Sequence, residues 1–462
     1  MTAAPAFASA RDPLGLGDTI AAVATAPGRG AVALLRLSGP RALDIAARLL
    51  DRWPLTPRLA VTCAVRHPDT GELLDRVLAT VFPGPRSYTG EDVVEIATHG
   101  GVAVPAAVLA ACVAAGARKA EPGEFTRRAV LHGKLDLTQA EAVGDLIDAR
   151  GQAMRRAAVA QLDGGLTRRV AALRDRVIEC EALVAYDLDF PEEDDGPVPH
   201  ARVIGAVDAA LAGLDGLLAT VPTARMTRDG AVVVLAGPPN AGKSSLLNAL
   251  AGEARALVTE VPGTTRDAVE VLLEPPAAPW PLRVVDTAGL RATDDRVERL
   301  GIEVAERWLA RAHVVLACGE TAEDLVRAAA HVAALATAPV LRVRTKADLD
   351  GEPVPDDALA VSAESGVGLT SLVAAAVQAI VARWGAPDPE VPLVLRERQQ
   401  RALAEARAEL AAFREEWLRG RLPAPVAAVH LRAAVHALEA LVGAVDVEDV
   451  LDRVFGSFCV GK

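Results

Sequence analysis

Aromatic side chains are scarce, at 3% of 462 residues, so Ala, Leu and Val must fill the cores. That composition points to a helix-rich protein packed through small residues. The five cysteines, Cys63, Cys112, Cys180, Cys318 and Cys459, are scattered and form no CxxC pair. This argues against a disulfide framework and against a zinc site. His67, His99, His132 and His430 lack metal-ligand spacing as well. Positive charge is also in short supply. A net charge of −12 disfavours nonspecific polyanion binding, which runs on Lys/Arg clusters, yet leaves room for one local basic patch. No apolar run reads as long enough to span a bilayer, and Met1–Arg11 show no basic stretch leading into an apolar core. The expectation is a cytoplasmic protein with no membrane partner.

What is present is ample apolar material, 51% of the residues, and a length suited to about three domains. From Thr19 to about Leu131 strands and helices mix, with strands expected at Ala31–Leu37 and Asp92–Thr98 and a helix at Val102–Ala115. From Thr138 to about Leu218 the pattern is helical. Leu166, Val170, Leu173, Val177 and Val184 recur at helical spacing and read as a core stripe. The acidic run Phe190–Pro197 interrupts it as a loop. From Gly230 to about Val381 the short apolar runs Ala231–Ala236, Arg283–Asp286, Val314–Cys318 and Val340–Arg344 alternate with helical segments. This predicts a parallel sheet with helices on both faces. After the linker Gly385–Pro392, two amphipathic helices follow, Glu397–Arg419 and Ala427–Val442. Helices on both sides of the α/β stretch imply that it is an insertion in a helical domain.

Residues 237–244, GPPNAGKS, fit the G-x-x-x-x-G-K-[ST] pattern between a strand and a helix. Backbone N–H groups of Asn240, Ala241, Gly242 and Ser245 can close around phosphate oxygens at a helix N-terminus. Lys243 would reach the terminal phosphates and the Ser244 hydroxyl would bind Mg²⁺. The turn Asp286-Thr287-Ala288-Gly289 follows a strand, which places Asp286 near the Mg²⁺ shell and the Gly289 N–H near a γ-phosphate. Between these motifs lies Thr259-Glu260-Val261-Pro262-Gly263-Thr264-Thr265, where a Thr hydroxyl, Thr265 in the first instance, can join the Mg²⁺ shell in the triphosphate state. Thr345-Lys346-Ala347-Asp348 carries the base choice. The Asp348 carboxylate accepts two hydrogen bonds from the N1–H and N2 amino group of guanine, a pair adenine does not offer, and Lys346 packs along the base. Ser362-Ala363-Glu364 completes the guanine side. Three readings follow: a GTP-hydrolysing enzyme, a regulatory or ribosome-assembly GTPase without modification chemistry, and an ATPase, which Asp348 opposes.

These motifs, their order and their flanks resemble the tRNA-modification GTPase family called MnmE or TrmE. The resemblance spans nearly the whole chain: residues 27–40, 87–96, HGG at 99–101, 121–143 (EPGEFTRRAVLHGKLDLTQAEAV), 238–252, VPGTTRD at 261–267, DTAGLR at 286–291, VERLGIE at 297–303 and the terminal FCVGK at 458–462. It implies a multidomain α/β protein with a Ras-like P-loop GTPase domain (230–384) inserted in an α-helical domain (135–229 and 385–462), behind an α+β folate-binding and dimerisation domain (1–134). It implies a homodimer that works with an FAD-dependent partner, MnmG or GidA, in a heterotetramer. Together they would install an aminomethyl or carboxymethylaminomethyl group at C5 of a tRNA wobble uridine, drawing on 5-formyl-tetrahydrofolate or a related folate. Arg36, Glu95, Lys134 and Lys462 match the family's folate contacts. Asn240, Thr259, Val261 and Thr264 match its potassium ligands, Val261 only through its carbonyl. In Ras-like proteins a Gln that orients water follows the DTAG turn; here Leu290 stands there. The resemblance assigns the water-orienting role to Glu298, which by itself would be an ordinary helix-face carboxylate. Cys459 is either a small apolar residue or a functional thiol. Three departures from the family pattern bear on affinity: Thr345 in place of Asn, Ala31 and Ala33 in place of glycines, and no acidic residue ending Val314–Gly319.

Overall fold

The computed structural model describes residues 17–189, 200–253, 269–276, 278–286, 304–349, 355–388, 390–419, 424–443 and 461. The chain divides into two compact units, one running to Gly144 and including the described residues from Val442 on, the other Asp145–Leu441.

The first unit is built on a six-stranded sheet. Its strands are β1 (Ile20–Val23), β2 (Val32–Ser38), β3 (Val61–Arg66), β4 (Leu73–Phe82), β5 (Val93–His99) and β6 (Arg118–Lys119), in the order β3-β4-β5-β2-β1-β6. Strands β2 and β5 were legible as apolar runs. The others are short or charge-bearing, and only their neighbours make them strands. Helices Ala42–Leu49 and Ala103–Ala114 bury Ile45, Leu49, Val108 and Cys112 against Leu35, Leu37, Val77, Val81, Val94 and Ile96. Successive side chains in a strand point to opposite faces. Burying Leu35, Leu37, Val94 and Ile96 therefore turns Arg36 and Glu95, which are register partners, to the other face together. There the helix Glu124–Leu131 packs Phe125 against Ile20, Ala22, Ala120 and Tyr88.

In the second unit, Leu166, Val170, Leu173, Val177 and Val184 are all buried along the helix Gly165–Asp189, as a core stripe requires. The helix Glu397–Arg419 packs against His200–Leu218, and Arg407–Asp215 and Arg414–Asp208 ion pairs tie the two together. One sequence expectation is corrected here. The run Ala201–Asp229 is, among the described residues, long and apolar enough to cross a membrane, with a mean hydropathy of 1.6. Its apolar face is occupied: Val203, Val207, Ala210, Leu214 and Leu217 are buried, and the helix lies against Gly165–Asp189 and Glu397–Arg419.

Between these helices, β7 (Ala231–Ala236), β8 (Val269–Leu273), β9 (Leu282–Asp286), β10 (Val314–Gly319), β11 (Val340–Arg344) and β12 (Ala358–Ala360) form a sheet of order β12-β11-β10-β7-β9-β8. The expected all-parallel sheet is corrected at one edge, where β8 runs antiparallel to β9. A short turn can join only antiparallel neighbours, whereas parallel strands need a longer crossover. Helices cover both faces. Leu246, Leu247 and Leu250 of Lys243–Glu253 and Leu372, Ala376 and Ile380 of Leu369–Trp384 pack on one side. Leu309 and Val332 pack with Val234 and Val315 on the other. With both faces covered, all six residues of β10 are buried. The chain leaves β7 toward β9 on one side and β10 on the other. That reversal opens a crevice beyond the carboxyl ends of the strands.

Candidate functional site

The residues after β7 are shaped for close backbone approach. Gly237 has φ +152°, and a Cβ there would lie 2.2 Å from the Cys318 carbonyl oxygen. Asn240 adopts the left-handed region at φ 62°, which Asn tolerates better than most side chains. Lys243, 5% exposed, donates to the carbonyls of Gly237 at 2.9 Å and Pro238 at 2.7 Å, so its ammonium sits inside the loop rather than in solvent. The Ser244 hydroxyl donates to Asp286 Oδ2 at 2.5 Å. Asp286 is 1% exposed at the end of β9. The two oxygen groups read from separate motifs are therefore one contact.

The loops expected to meet the base follow β11 and β12. Thr345 donates its N–H and its hydroxyl to the Gly319 carbonyl, at 3.0 and 3.2 Å. This anchors the turn to β10 without the amide that Asn would bring. Lys346 is held left-handed at φ 55°, and its ammonium pairs with Glu320. Glu320 lies one residue beyond β10, and its closeness to Lys346 depends on the parallel pairing of β10 and β11. Ala347 N–H donates to Val361 O at 3.0 Å. Buried Ser362 hydrogen-bonds the Asp348 carboxyl and, with a backbone bond, lowers its pKa below the ordinary value. Asp348 is thus a carboxylate at neutral pH.

A cavity of about 490 Å³ joins the two halves, lined by Gly242, Ser245, Thr345, Lys346, Asp348, Ala363 and Glu364 among others. Its size is that of a small-molecule pocket. The phosphate loop, through Gly242 and Ser245, and the base loops share it, and Ser244 carries Asp286 alongside. Thr259, Glu260, Val261, Pro262, Gly263, Thr264, Thr265, Thr287, Ala288, Gly289 and Glu298 lie outside the described residues, as do Cys459 and Lys462.

In the first unit, Arg36 donates to Glu95 Oε1 from Nε at 2.9 Å and from a terminal nitrogen at 2.6 Å. The guanidinium stands 5.1 Å from the Tyr88 ring centroid and 5.6 Å from that of Phe125. Both Arg36 bonds use one carboxylate oxygen, and the Glu95 side chain is 24% exposed. Lys134 reaches the Pro85 carbonyl at 3.2 Å. Gly461 packs on β1, where a Cβ would come within 2.5 Å of the Val23 carbonyl oxygen. Tyr88 and Phe125, whose rings flank Arg36, were not singled out from the sequence. The signal was their presence in SYTGED and EPGEF, two of the few aromatic positions in the chain.

Below this patch lies a charge network. Arg128, 2% exposed, pairs with Asp18 at 2.5 Å, Glu91 at 3.0 Å and Glu124 at 3.1 Å. Glu91 also accepts from Ser38 at 2.6 Å. Burial raises the Glu124 pKa, but hydrogen bonds from Arg118 and the Glu121 amide and the charges of Arg118 and Arg128 outweigh it, so the net shift is downward. The network ties SYTGED to the helix of EPGEFTRR. Two of the four described cysteines, Cys112 and Cys318, have thiols pushed up to about 12 by burial. They are not thiolates at neutral pH.

Two family models match: the MnmE helical domain over residues 137–459 and the N-terminus of the GTP-binding protein TrmE over residues 19–134. The tRNA modification GTPase MnmE of Bordetella parapertussis is 44% identical over 458 residues, covering 96% of this chain and 99% of the relative. The chain belongs to the MnmE family. The Thermus thermophilus MnmE is likewise 44% identical, covering 97% of this chain and 100% of its own. Azorhizobium caulinodans MnmE is 44% identical over 453 residues. The MnmE match runs through both units, so neither the P-loop sheet nor the N-terminal sheet stands outside it.

Proposed function

We propose that this MnmE-family chain binds and hydrolyses GTP and uses the cycle to drive modification of a tRNA wobble uridine at C5. The observation that carries the nucleotide half is the shared cavity of Gly242, Ser245 and Asp348, with Ser244 on Asp286 beside it. Lys243, held between two carbonyls, would exchange them for β- and γ-phosphate oxygens. Ser244 and Asp286 are hard oxygen donors and fit magnesium, which when bound would offset charge on the phosphate oxygens. Thr265 and Gly289 would sense the γ-phosphate, and Glu298 would orient water in place of the Gln that Leu290 replaces. Asn240, Thr259, Val261 and Thr264 would hold a potassium ion near the phosphates. Turnover is therefore expected to be faster in potassium than in sodium at matched ionic strength, and equal rates would remove the ion from this account.

In the first unit, Glu95 would pair with the aminopyrimidine edge of a folate pterin over the Tyr88 and Phe125 rings, and Lys134 and Lys462 would meet its acidic tail. The chain would act as a homodimer with an FAD-dependent MnmG partner. It would install an aminomethyl or carboxymethylaminomethyl group with a folate one-carbon unit. The deciding experiment has two arms. Replacing Asp348 by Asn should weaken GDP binding about 100-fold through loss of two charge-assisted bonds, and should shift preference toward xanthine nucleotides. Xanthine's C2 carbonyl suits an amide N–H donor. Unchanged GDP affinity would sink the guanine reading. Separately, a strain lacking the gene should accumulate wobble uridine unmodified at C5. Normal modification there would favour the regulatory GTPase reading instead.

A further inference from the structure

The structure assigns a coupling role to Glu274: it seats the β8–β9 hairpin on the helical framework, so that the hairpin carries the nucleotide state to the helices. This rests on the proposed GTP-driven modification. The two strands pair from Val269↔Asp286 at one end to Leu273↔Leu282 at the other. Five residues of strand span about 17 Å. One end of this lever is Asp286, tied to Ser244 in the phosphate loop. In sequence the hairpin lies between VPGTTRD and the DTAG turn, so both γ-phosphate segments attach to the same end.

At the other end, Glu274 Oε1 accepts from the Gln152 N–H at 2.9 Å. Gln152 opens the helix Gln152–Leu162, and the preceding Gly151 makes no side-chain cap of its own. A helix start leaves backbone donors without partners, and a carboxylate there is favoured by the helix dipole as well. Here the cap comes from a residue 122 positions away. The fit is tight at one point: a Cβ on Gly151 would lie 2.0 Å from Glu274 Oε1. Around it the seat is loose, with a hollow of about 150 Å³ lined by Arg156, Pro275, Pro276 and Trp280 among others. A contact held by one carboxylate beside a hollow can open at the cost of one hydrogen bond. The helix it caps packs on Gly165–Asp189 and on Val221–Asp229, so its start is a point of entry to the whole framework.

Two variants attack the seat from opposite sides. E274A removes the carboxylate. G151A displaces it, while Ala is compatible with the backbone there, at φ −133° and ψ 160°. Neither residue touches the nucleotide cavity, so both variants should bind GDP and hydrolyse GTP within about twofold of the parent protein. In the full chain, hydrogen exchange at the Gln152 amide should differ between GDP and a GTP transition-state analogue, and E274A should abolish that difference. Exchange independent of nucleotide in the parent would overturn the lever whatever the biological reaction is. In the complete system of partner flavoprotein, tRNA, folate donor and GTP, modified uridines per GTP should fall at least about fivefold in E274A, the lower end of ordinary coupling energies. The double variant should be no worse than E274A, because the methyl group added by G151A then meets no carboxylate. Multiplying losses, or an E274A yield equal to the parent's, would refute the assignment. A parent that modifies no uridine refutes the functional reading instead, and the exchange measurement still decides the lever.

Discussion

Lys243→Ala is expected to lower kcat/KM for GTP by about 10²–10³-fold, the usual cost of removing one preorganised donor from a developing negative charge. The ammonium is held ready by the Gly237 and Pro238 carbonyls in a site only 5% exposed. It need not be ordered or stripped of bulk water when phosphate arrives. Arginine should not rescue it. The planar guanidinium fork is wider than an ammonium and cannot sit between two carbonyls within one short loop. Phosphate release measured across a range of GTP concentrations separates the effects, because a loss in kcat at saturation marks charge stabilisation beyond ground-state binding. A lysine-free loop that turned over at the parental rate would exclude the proposed phosphate geometry.

Arg128→Met should destabilise the first unit by about 3–5 kcal/mol, the range for breaking a buried ion pair from one side. Methionine fills much of the same volume but leaves Glu91 and Glu124, whose side chains are 9% and 11% exposed, without their central cation. Asp18, at 42% exposed, is screened by water and contributes less. Because the chain has two compact units, a single melting midpoint would blur the effect. Hydrogen exchange of the helix Glu124–Leu131 isolates it. Adding E91Q and E124Q to the methionine variant should recover part of the loss by removing the stranded charge. The acid response follows the same network. Glu124 and Asp18 have folded-state pKa values below their ordinary ones. Their contribution is therefore complete above the unfolded carboxylate pKa, about 4, and is lost as pH falls through the lowered values. Arg128→Met should flatten that acid limb, leaving the part that Arg118 holds at Glu124 and Asp18.

Much of the nucleotide site was legible because its parts are local. Ala231–Ala236 read as a strand and is one. A strand, a tight Gly-containing loop and a helix start are specified within about fifteen residues by propensity and backbone freedom. The turn Thr345-Lys346-Ala347-Asp348 is of the same kind. The strands β1, β3, β4 and β6 were not legible. Arg118–Lys119 is exposed and charged, and pairing with β1 alone makes it a strand. The antiparallel β8 was missed because the parallel alternation rule speaks to crossovers, and a hairpin has none. The apolar length of Ala201–Asp229 was underestimated because Arg202, Asp208 and Asp215 interrupt the run when it is read residue by residue.

The sequence by itself determined the local shape of the glycine-containing loop after β7 and of the Thr345–Asp348 turn, and, through its motifs, membership of the MnmE family. These are encoded in neighbouring residues. Tertiary structure alone decided that Ser244 meets Asp286 across 42 positions, that Arg128 meets Asp18 across 110, and that Glu274 caps Gln152 across 122. Such contacts depend on how sheets and helices close over one another. Each residue type fits many partners equally well, and only the packed core selects one.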